Sequence, residues 1–183
     1  VQDEALEQTL DSLGYRPAIS SETGVGSKTY SANELDAERS RIYDLLIENG
    51  YYKFNKEYVH FRVDTTLGHH LADVEMIVKK AQNEIDSTDY SHHRFHIGNI
   101  FYEQISDKPF LRPKVLRNAT AIGNGQLYRE SKMHETYARM SRLSAVAAAN
   151  VHVSPRTDGS DTLDVNISLT PNKRNSFSTE LEG

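Results

Sequence analysis

Apolar residues at helical spacing predict two helices in the first half of the chain. Leucines at i, i+4 and i+7 form one stripe over residues 3–13, which is typical of a helix that covers a core. A second helix is predicted to begin at Ser31, because Ser31 and Glu34 have the three-residue spacing of a capping box. The Asn49-Gly50 pair ends this helix.

Strict alternation of apolar and polar residues predicts the strands. In the first half, alternation occurs within residues 51–64 and again over residues 72–78, although residues 79–85 also fit a helix. The second half predicts a strand from Phe95, two helices and two more strands. The clearest alternation in the chain covers residues 163–170.

The two halves repeat one plan. A shift of 98 positions lays Tyr30 on Tyr128 and Arg41 on Arg139, and a helix-then-hairpin segment follows in each copy. Two helices that cover one face of a three-stranded sheet form a reasonable small core. We therefore predict an α+β protein with two tandem β-α-α-β-β units, in which the first unit lacks its leading strand.

The predicted boundaries follow from this repeat. The first unit covers residues 1–89, the second covers residues 90–172, and residues 173–183 begin a further strand. Because the chain begins at Val1 and not at Met, we expect a mature or trimmed fragment. The missing first strand would then lie upstream of Val1.

Charge and composition exclude several classes of partner and site. The formal net charge of −5 argues against nucleic acid as a partner and against docking on anionic lipid. The sequence contains no cysteine, which excludes disulfides, thiolate metal sites and cysteine nucleophiles. No apolar run approaches the roughly 20 residues that a membrane-spanning helix requires.

Candidate chemistry is weak. His92, His93 and His96 are the densest histidine cluster, but the stretch enters a strand, where residues four apart cannot converge on one metal ion. Residues 24–29 contain two glycines and a lysine, as a phosphate-binding loop does. Such a loop requires glycine directly before the lysine, and here Ser27 precedes Lys28. We expect polar loop histidines, no metal site, no cofactor, no catalytic residue and no enzymatic activity.

Short stretches of the sequence resemble POTRA domains, the polypeptide-transport-associated modules of BamA/TamA-type outer-membrane β-barrel assembly proteins (the surface-antigen family). Gly125–Glu130 resembles the entry to the second POTRA helix, and Leu163–Pro171 resembles its third strand. Phe177–Gly183 resembles the lead-in to the first barrel strand, and Asn49–Tyr52 resembles an "N-G-Y-F" stretch. The sequence departs from the family at Ala145–Ala149, where the family tends to have Phe.

The resemblance implies two tandem POTRA-like units, each a small three-stranded mixed sheet covered by two helices. It also implies a periplasmic arm, covalently continuous with an outer-membrane β-barrel of a Gram-negative bacterium. Such an arm would receive unfolded or extended polypeptide clients and dock other assembly or translocation proteins, by adding strands to exposed sheet edges. The expected edge residues are Tyr58, Val59, His60, Phe61, Val63, Ala149, Val151, His152 and Val153.

Three alternatives stay open. The chain is also compatible with a periplasmic small-molecule or sugar-binding domain, with an enzyme whose motif the sequence does not reveal, or with a passive spacer. Tyr51, Tyr52 and Tyr58 fit an interface and simple sheet packing equally well.

Overall fold

The computed structural model of the chain describes residues 1–17, 31–64, 73–82 and 88–172. The chain divides into two units, Val1–Arg94 and Phe95–Gly183. Residues 90–94 belong to the first unit because Tyr90 pairs with Ala81 and because His92 is buried there. Two sequence predictions, the loop at residues 24–29 and the further strand at residues 173–183, lie outside the described residues.

The helices of the first unit follow the predicted pattern. Helix α1 (Glu4–Ser12) begins after Asp3, whose carboxylate accepts a hydrogen bond from the Leu6 N–H at 3.3 Å. Helix α2 (Ala32–Glu48) has the predicted capping box, with reciprocal bonds between Ser31 and Glu34. Leu6 and Leu10 are buried, as are Ile42 and Leu46 of α2.

The strands of the first unit form two hairpins. Strand β1 (Val59–Asp64) pairs antiparallel with β2 (Asp73–Val78), and the short β3 (Ala81–Gln82) pairs with β4 (Asp89–Tyr90). The expectation of a strand from residue 51 was wrong, because Lys56–Tyr58 form a 3₁₀ turn ahead of β1. The possible helix at 79–85 is also wrong where the chain is described, because β3 occupies that stretch.

The second unit has the complete β-α-α-β-β order. Its elements are β5 (His96–Gln104), α3 (Pro113–Ala119), α4 (Glu130–Ser141), β6 (Val146–Pro155) and β7 (Thr162–Pro171). The sheet order is β5-β7-β6, with β5 parallel and β6 antiparallel to the central β7. The central strand β7 carries the core of this sheet, because alternate side chains point to one face. The side chains of Leu163, Val165, Ile167 and Leu169 have no exposed surface. The predicted α+β class is confirmed.

Two aromatic side chains of the second unit are exposed, although the apolar periodicity of β5 and α4 would place them with the buried residues. Phe101 is 53% exposed, because the register between β5 and β7 shifts between Ile97 and Ile100 and so reverses the alternation. Tyr137 is 49% exposed, because α4 turns Thr136 inward in its place. The buried Thr136 hydroxyl is satisfied by Ala121 and Lys132 of the same unit.

One hydrogen bond fits a leading strand in the first unit. The Gln2 N–H donates to the Val78 carbonyl at 2.9 Å, at the carboxyl end of β2. In the second unit the Ile105 N–H donates to the Leu169 carbonyl at 2.8 Å, where β5 ends beside β7. The matching contacts place the residue ahead of the first helix beside the end of a strand in both units, and the leading strand of the first unit stays a prediction.

Candidate functional site

Strand β6 is an edge of the three-stranded sheet in the second unit. Along an antiparallel pair, alternate residues direct both main-chain groups toward the partner strand, and the residues between them direct theirs away. The Arg156 N–H bonds the Thr162 carbonyl at 3.0 Å, which fixes this phase. Ala149, Val151 and Val153 therefore direct their main-chain groups away from β7.

The side chains of β6 suit close approach by another strand. The strand begins with a run of small residues, and Ala147 and Ala148 are exposed. The register shifts between Val146 and Ala148, so a bulge opens the ladder at that end. Pro155 has no N–H and limits the other end. The usable edge thus covers about the middle of the strand.

Strand β1 of the first unit offers a less accessible edge. The Lys79 N–H bonds the Tyr58 carbonyl at 2.9 Å on the β2 side, so Val59, Phe61 and Val63 direct their main-chain groups outward. The outward carbonyl of Val59 already accepts a hydrogen bond from Arg39 Nε at 3.0 Å. Arg39 also lies over the Phe61 ring, 5.4 Å from its centroid. Helix α2 therefore covers the start of this edge.

The predicted edge residues differ in exposure. Val59 is buried, and Tyr58, Phe61, Ala149, Val151 and Val153 are half-buried. His60, Val63 and His152 are exposed. His152 belongs to the β7-facing register, opposite Asn166, so its side chain and not its main chain is available to a ligand. Binding of a polypeptide at these residues stays a prediction.

The histidine expected in a polar loop, His92, is instead buried. Its ring packs edge-on against Phe54 and Tyr58, with centroid distances of 5.1 and 4.8 Å. Its main-chain N–H donates to Asp3 Oδ2 at 2.6 Å, and Nε2 lies 3.0 Å from the Lys79 carbonyl. Burial lowers the pKa of His92 and outweighs the opposing effects of that carbonyl and of Asp3. These contacts are those of a core residue.

Two of the three tyrosines that fitted either an interface or packing lie in packed surroundings. Tyr51 is 2% exposed, and its hydroxyl lies 2.8 Å from the hydroxyl of Thr9 on α1. Tyr58 is half-buried beside Phe54 and His92. Sheet and core packing therefore explains these two tyrosines.

A buried ionic cluster was missed by the sequence analysis. Glu38 of α2 is 3% exposed and accepts hydrogen bonds from the Tyr15 hydroxyl and from Arg41, whose Nη2 lies 2.6 Å from Oε1. Arg41 also lies over the Tyr15 ring at 4.5 Å. Burial and the Glu38 hydrogen bond raise the pKa of Tyr15. Glutamate on an otherwise polar helix face gave no signal of burial.

A groove of about 450 Å³ lies beside His60 and Tyr58 in the first unit. Its walls mix Lys79 and Lys80 with Glu57 and Asp89. Ligand pockets are usually mostly apolar with a few convergent polar groups. The mixed charges of this groove match no single class of small molecule.

The β-α-α-β-β order and the sheet order β5-β7-β6 define a POTRA-type fold. Structure comparison found BamA from Haemophilus ducreyi lacking POTRA domains 1–3, with a TM-score of 0.60 at 15% identity over 93% of this chain and 27% of that chain. It also found the POTRA3-5 region of Haemophilus influenzae BamA, with a TM-score of 0.51 at 16% identity over 91% of this chain and 54% of that chain. The resemblance to POTRA domains is therefore confirmed at the level of the fold.

Sequence comparisons add no closer relative. No protein-family model matches the chain, and no curated protein matches it. The chain spans about a quarter of the first of these BamA structures and about half of the second. Among the described residues, every helix is too short or too polar to cross a membrane.

Proposed function

We propose that the chain is part of a periplasmic polypeptide-binding arm that precedes an outer-membrane β-barrel in a Gram-negative bacterium. The arm acts in outer-membrane protein assembly or protein translocation. The observation that carries the proposal is the edge strand β6, whose main-chain groups at Ala149 and Val151 point outward and which begins with the small exposed residues Ala147 and Ala148. The POTRA-type fold supports the same reading.

Strand addition explains how one surface accepts many clients. The N–H and C=O groups of an edge strand pair with any extended polypeptide, so affinity requires little of the client sequence. The half-buried Val151 and Val153 side chains would make β6 modestly prefer clients whose apolar residues alternate with polar ones. The work is binding and release, and no covalent chemistry is required of the protein.

Proline substitution tests the edge without removing the sheet. Val151→Pro deletes an outward N–H, whereas the hydrogen bonds between β6 and β7 involve the neighbouring residues. The probe is a fluorescein-labelled peptide of about ten residues with alternating apolar and polar positions, the pattern of a barrel strand. We expect affinity measured by fluorescence anisotropy to fall about tenfold, which corresponds to about 1.4 kcal/mol.

Val151→Ala is the matched control, because it trims the same side chain and keeps the N–H. It should bind the peptide within about twofold of the native chain, a difference of about 0.4 kcal/mol. Circular dichroism must show both variants folded. Equal affinity in the proline variant, the alanine variant and the native chain would reject strand addition at β6 and favour the spacer alternative.

The first unit gives a second test. Phe61→Pro removes an outward N–H of β1, and Phe61→Leu keeps it. Because Arg39 already occupies the Val59 carbonyl, we expect a smaller loss of peptide affinity here than at β6, about threefold. A larger loss at β1 than at β6 would show that the client edge belongs to the first unit.

A further inference from the structure

The helices of the two units have opposite charge. Helices α1 and α2 with their cap residues contain nine acidic and two basic side chains. Helices α3 and α4 with their caps contain seven basic side chains and two acidic ones, although the whole chain has a net charge of −5. The basic residues are Arg112, Lys114, Arg117, Arg129, Lys132, Arg139 and Arg142. The helical face of the second unit is therefore a basic surface on an acidic chain.

Helix stability accounts for only part of this surface. Cations are favourable at the carboxyl end of a helix and unfavourable at its amino end. Arg112 and Lys114 lie at the amino end of α3, and Arg129 is the N-cap of α4; neither helix has a side-chain hydrogen bond at its N-cap. The helix dipole opposes these three residues, whereas it favours the basic residues in the last turns of α3 and α4 and at the C-cap of α4, so helix stability explains only part of the basic surface.

An apolar groove lies within the basic surface. Its lining residues are Val115, Asn118, Ala119, Arg139, Arg142 and Leu143, and its volume is about 430 Å³. We name it the α3–α4 groove. Val115, Ala119 and Leu143 supply its apolar lining, here called its floor, and the two exposed arginines supply its charged lining, here called its rim. A groove of this size accommodates one or two large side chains.

The two rim arginines differ in their partners. Arg139 Nη2 pairs with Glu135 at 2.5 Å, and the same carboxylate also accepts from Lys132 at 2.7 Å. Arg142 makes no side-chain hydrogen bond or ion pair with any residue that the structure describes. One carboxylate therefore pairs with two cations, whereas the five N–H donors of the Arg142 guanidinium have no side-chain partner among the described residues.

We propose that the α3–α4 groove binds an acidic polypeptide segment, which inserts an apolar side chain between α3 and α4 and pairs a carboxylate with Arg142. This is a site for a partner protein and is separate from the strand edges. An apolar floor with a guanidinium at its rim fits a peptide in which Phe or Leu neighbours Asp or Glu. A flat lipid surface would engage the charges without placing an apolar side chain beside Val115 and Leu143.

The test uses the whole chain and a fluorescein-labelled peptide of about ten residues with a central Phe among Asp and Glu. Arg142→Glu should weaken binding at least tenfold, which corresponds to about 1.4 kcal/mol. Arg117→Glu is the matched control, because it makes the same change of charge on exposed α3 but does not line the groove. It should lower affinity no more than about threefold, through long-range attraction only.

Two peptide variants test the apolar part of the site. Replacing the central Phe by Ser should weaken binding about tenfold, and replacing the acids by Lys should abolish it. Equal losses in the Arg142 and Arg117 variants would overturn a groove-specific site and leave general attraction. Binding to vesicles rich in anionic lipid, with none to the peptide, would overturn the polypeptide assignment in favour of a membrane surface.

Self-association is the remaining outcome. Sedimentation of the chain at the peptide-binding concentration should give a monomer. A dimer that Arg142→Glu dissociates would overturn the proposal, because the acidic helices of a second copy would then be the occupant. Binding of the alternating peptide to β6 is measured in the same samples, so failure of the groove and failure of the edge are distinguished.

Discussion

The buried cluster of Glu38, Tyr15 and Arg41 makes the sharpest prediction for the first unit. Glu38 is 3% exposed and accepts from Tyr15 and, through both of its oxygens, from Arg41. Glu38→Gln keeps one carbonyl oxygen but places an amide N–H₂ against a donor. Because hydrogen bonds to a charged group contribute about 1.5–3 kcal/mol, the exchange should destabilise the first unit by about 2–3 kcal/mol.

Two features set the size of this loss. A fully buried ion pair that loses one partner costs about 3–5 kcal/mol, but the Arg41 side chain is 46% exposed and water weakens its share. Tyr15→Phe should cost less, about 1 kcal/mol, because Glu38 then keeps both bonds from Arg41. The double variant should be destabilised by about 1 kcal/mol less than the sum of the two single variants, because both changes remove the same hydrogen bond.

Hydrogen exchange read by mass spectrometry is the appropriate assay, because it separates the two units. Peptides from α1 and α2 should exchange about 30- to 150-fold faster in Glu38→Gln, which is the conversion of about 2–3 kcal/mol. Peptides from β7 provide the internal control and should not change. If the exchange rates of α1 and α2 stayed within twofold of the native chain, the Glu38 carboxylate would not stabilise the contact between α2 and the segment after α1.

Three further predictions concern stability. Ile167→Ala, at a side chain with no exposed surface, should destabilise the second unit by about 2–5 kcal/mol in urea unfolding, and a loss below about 1 kcal/mol would contradict its place in the core. Gly98→Ala should cost about 1–3 kcal/mol, because the new methyl group would overlap Asp164 and disturb its ion pair with Arg156; unchanged stability would show that this pair can move aside. Burial lowers the pKa of His92, so its neutral form favours the folded state. This stability is complete above the unfolded pKa of about 6.5 and is lost as pH falls below it, and thermal unfolding of His92→Phe should lack that pH dependence if His92 is responsible.

Sequence periodicity correctly predicted those helices and strands whose apolar residues all face one core. Residues 163–170 alternate strictly, and β7 has its apolar positions buried. The Ser31 capping box was readable because both halves of the motif lie three residues apart. Such local patterns need no knowledge of the rest of the chain.

Other features depend on contacts that the sequence does not display. The register shift after Ile97 exposes Phe101, and only the pairing with β7 reveals it. His92 looks like a loop residue until Phe54 and Tyr58 enclose it. The edges at β1 and β6 were both expected from the resemblance to POTRA domains, but a side chain distant in sequence, Arg39, covers the start of one of them.

The basic helices of the second unit bear on how this fold would serve the two proposed roles, strand addition at β6 and docking of an acidic partner. A sheet edge binds through the main chain and cannot distinguish partners well, because every polypeptide offers the same groups. Side chains on the helices lie on the other surface of the unit, so their charge can change without altering strand pairing. Steering by charge selects partners and speeds their approach. A basic α3–α4 groove would therefore give the second unit a selective contact for one partner, while the proposed edge at β6 would serve varied clients. Arg142→Glu should accordingly lower affinity for the acidic peptide and leave binding of the alternating peptide unchanged, and a parallel loss of both would show that the two surfaces are one site.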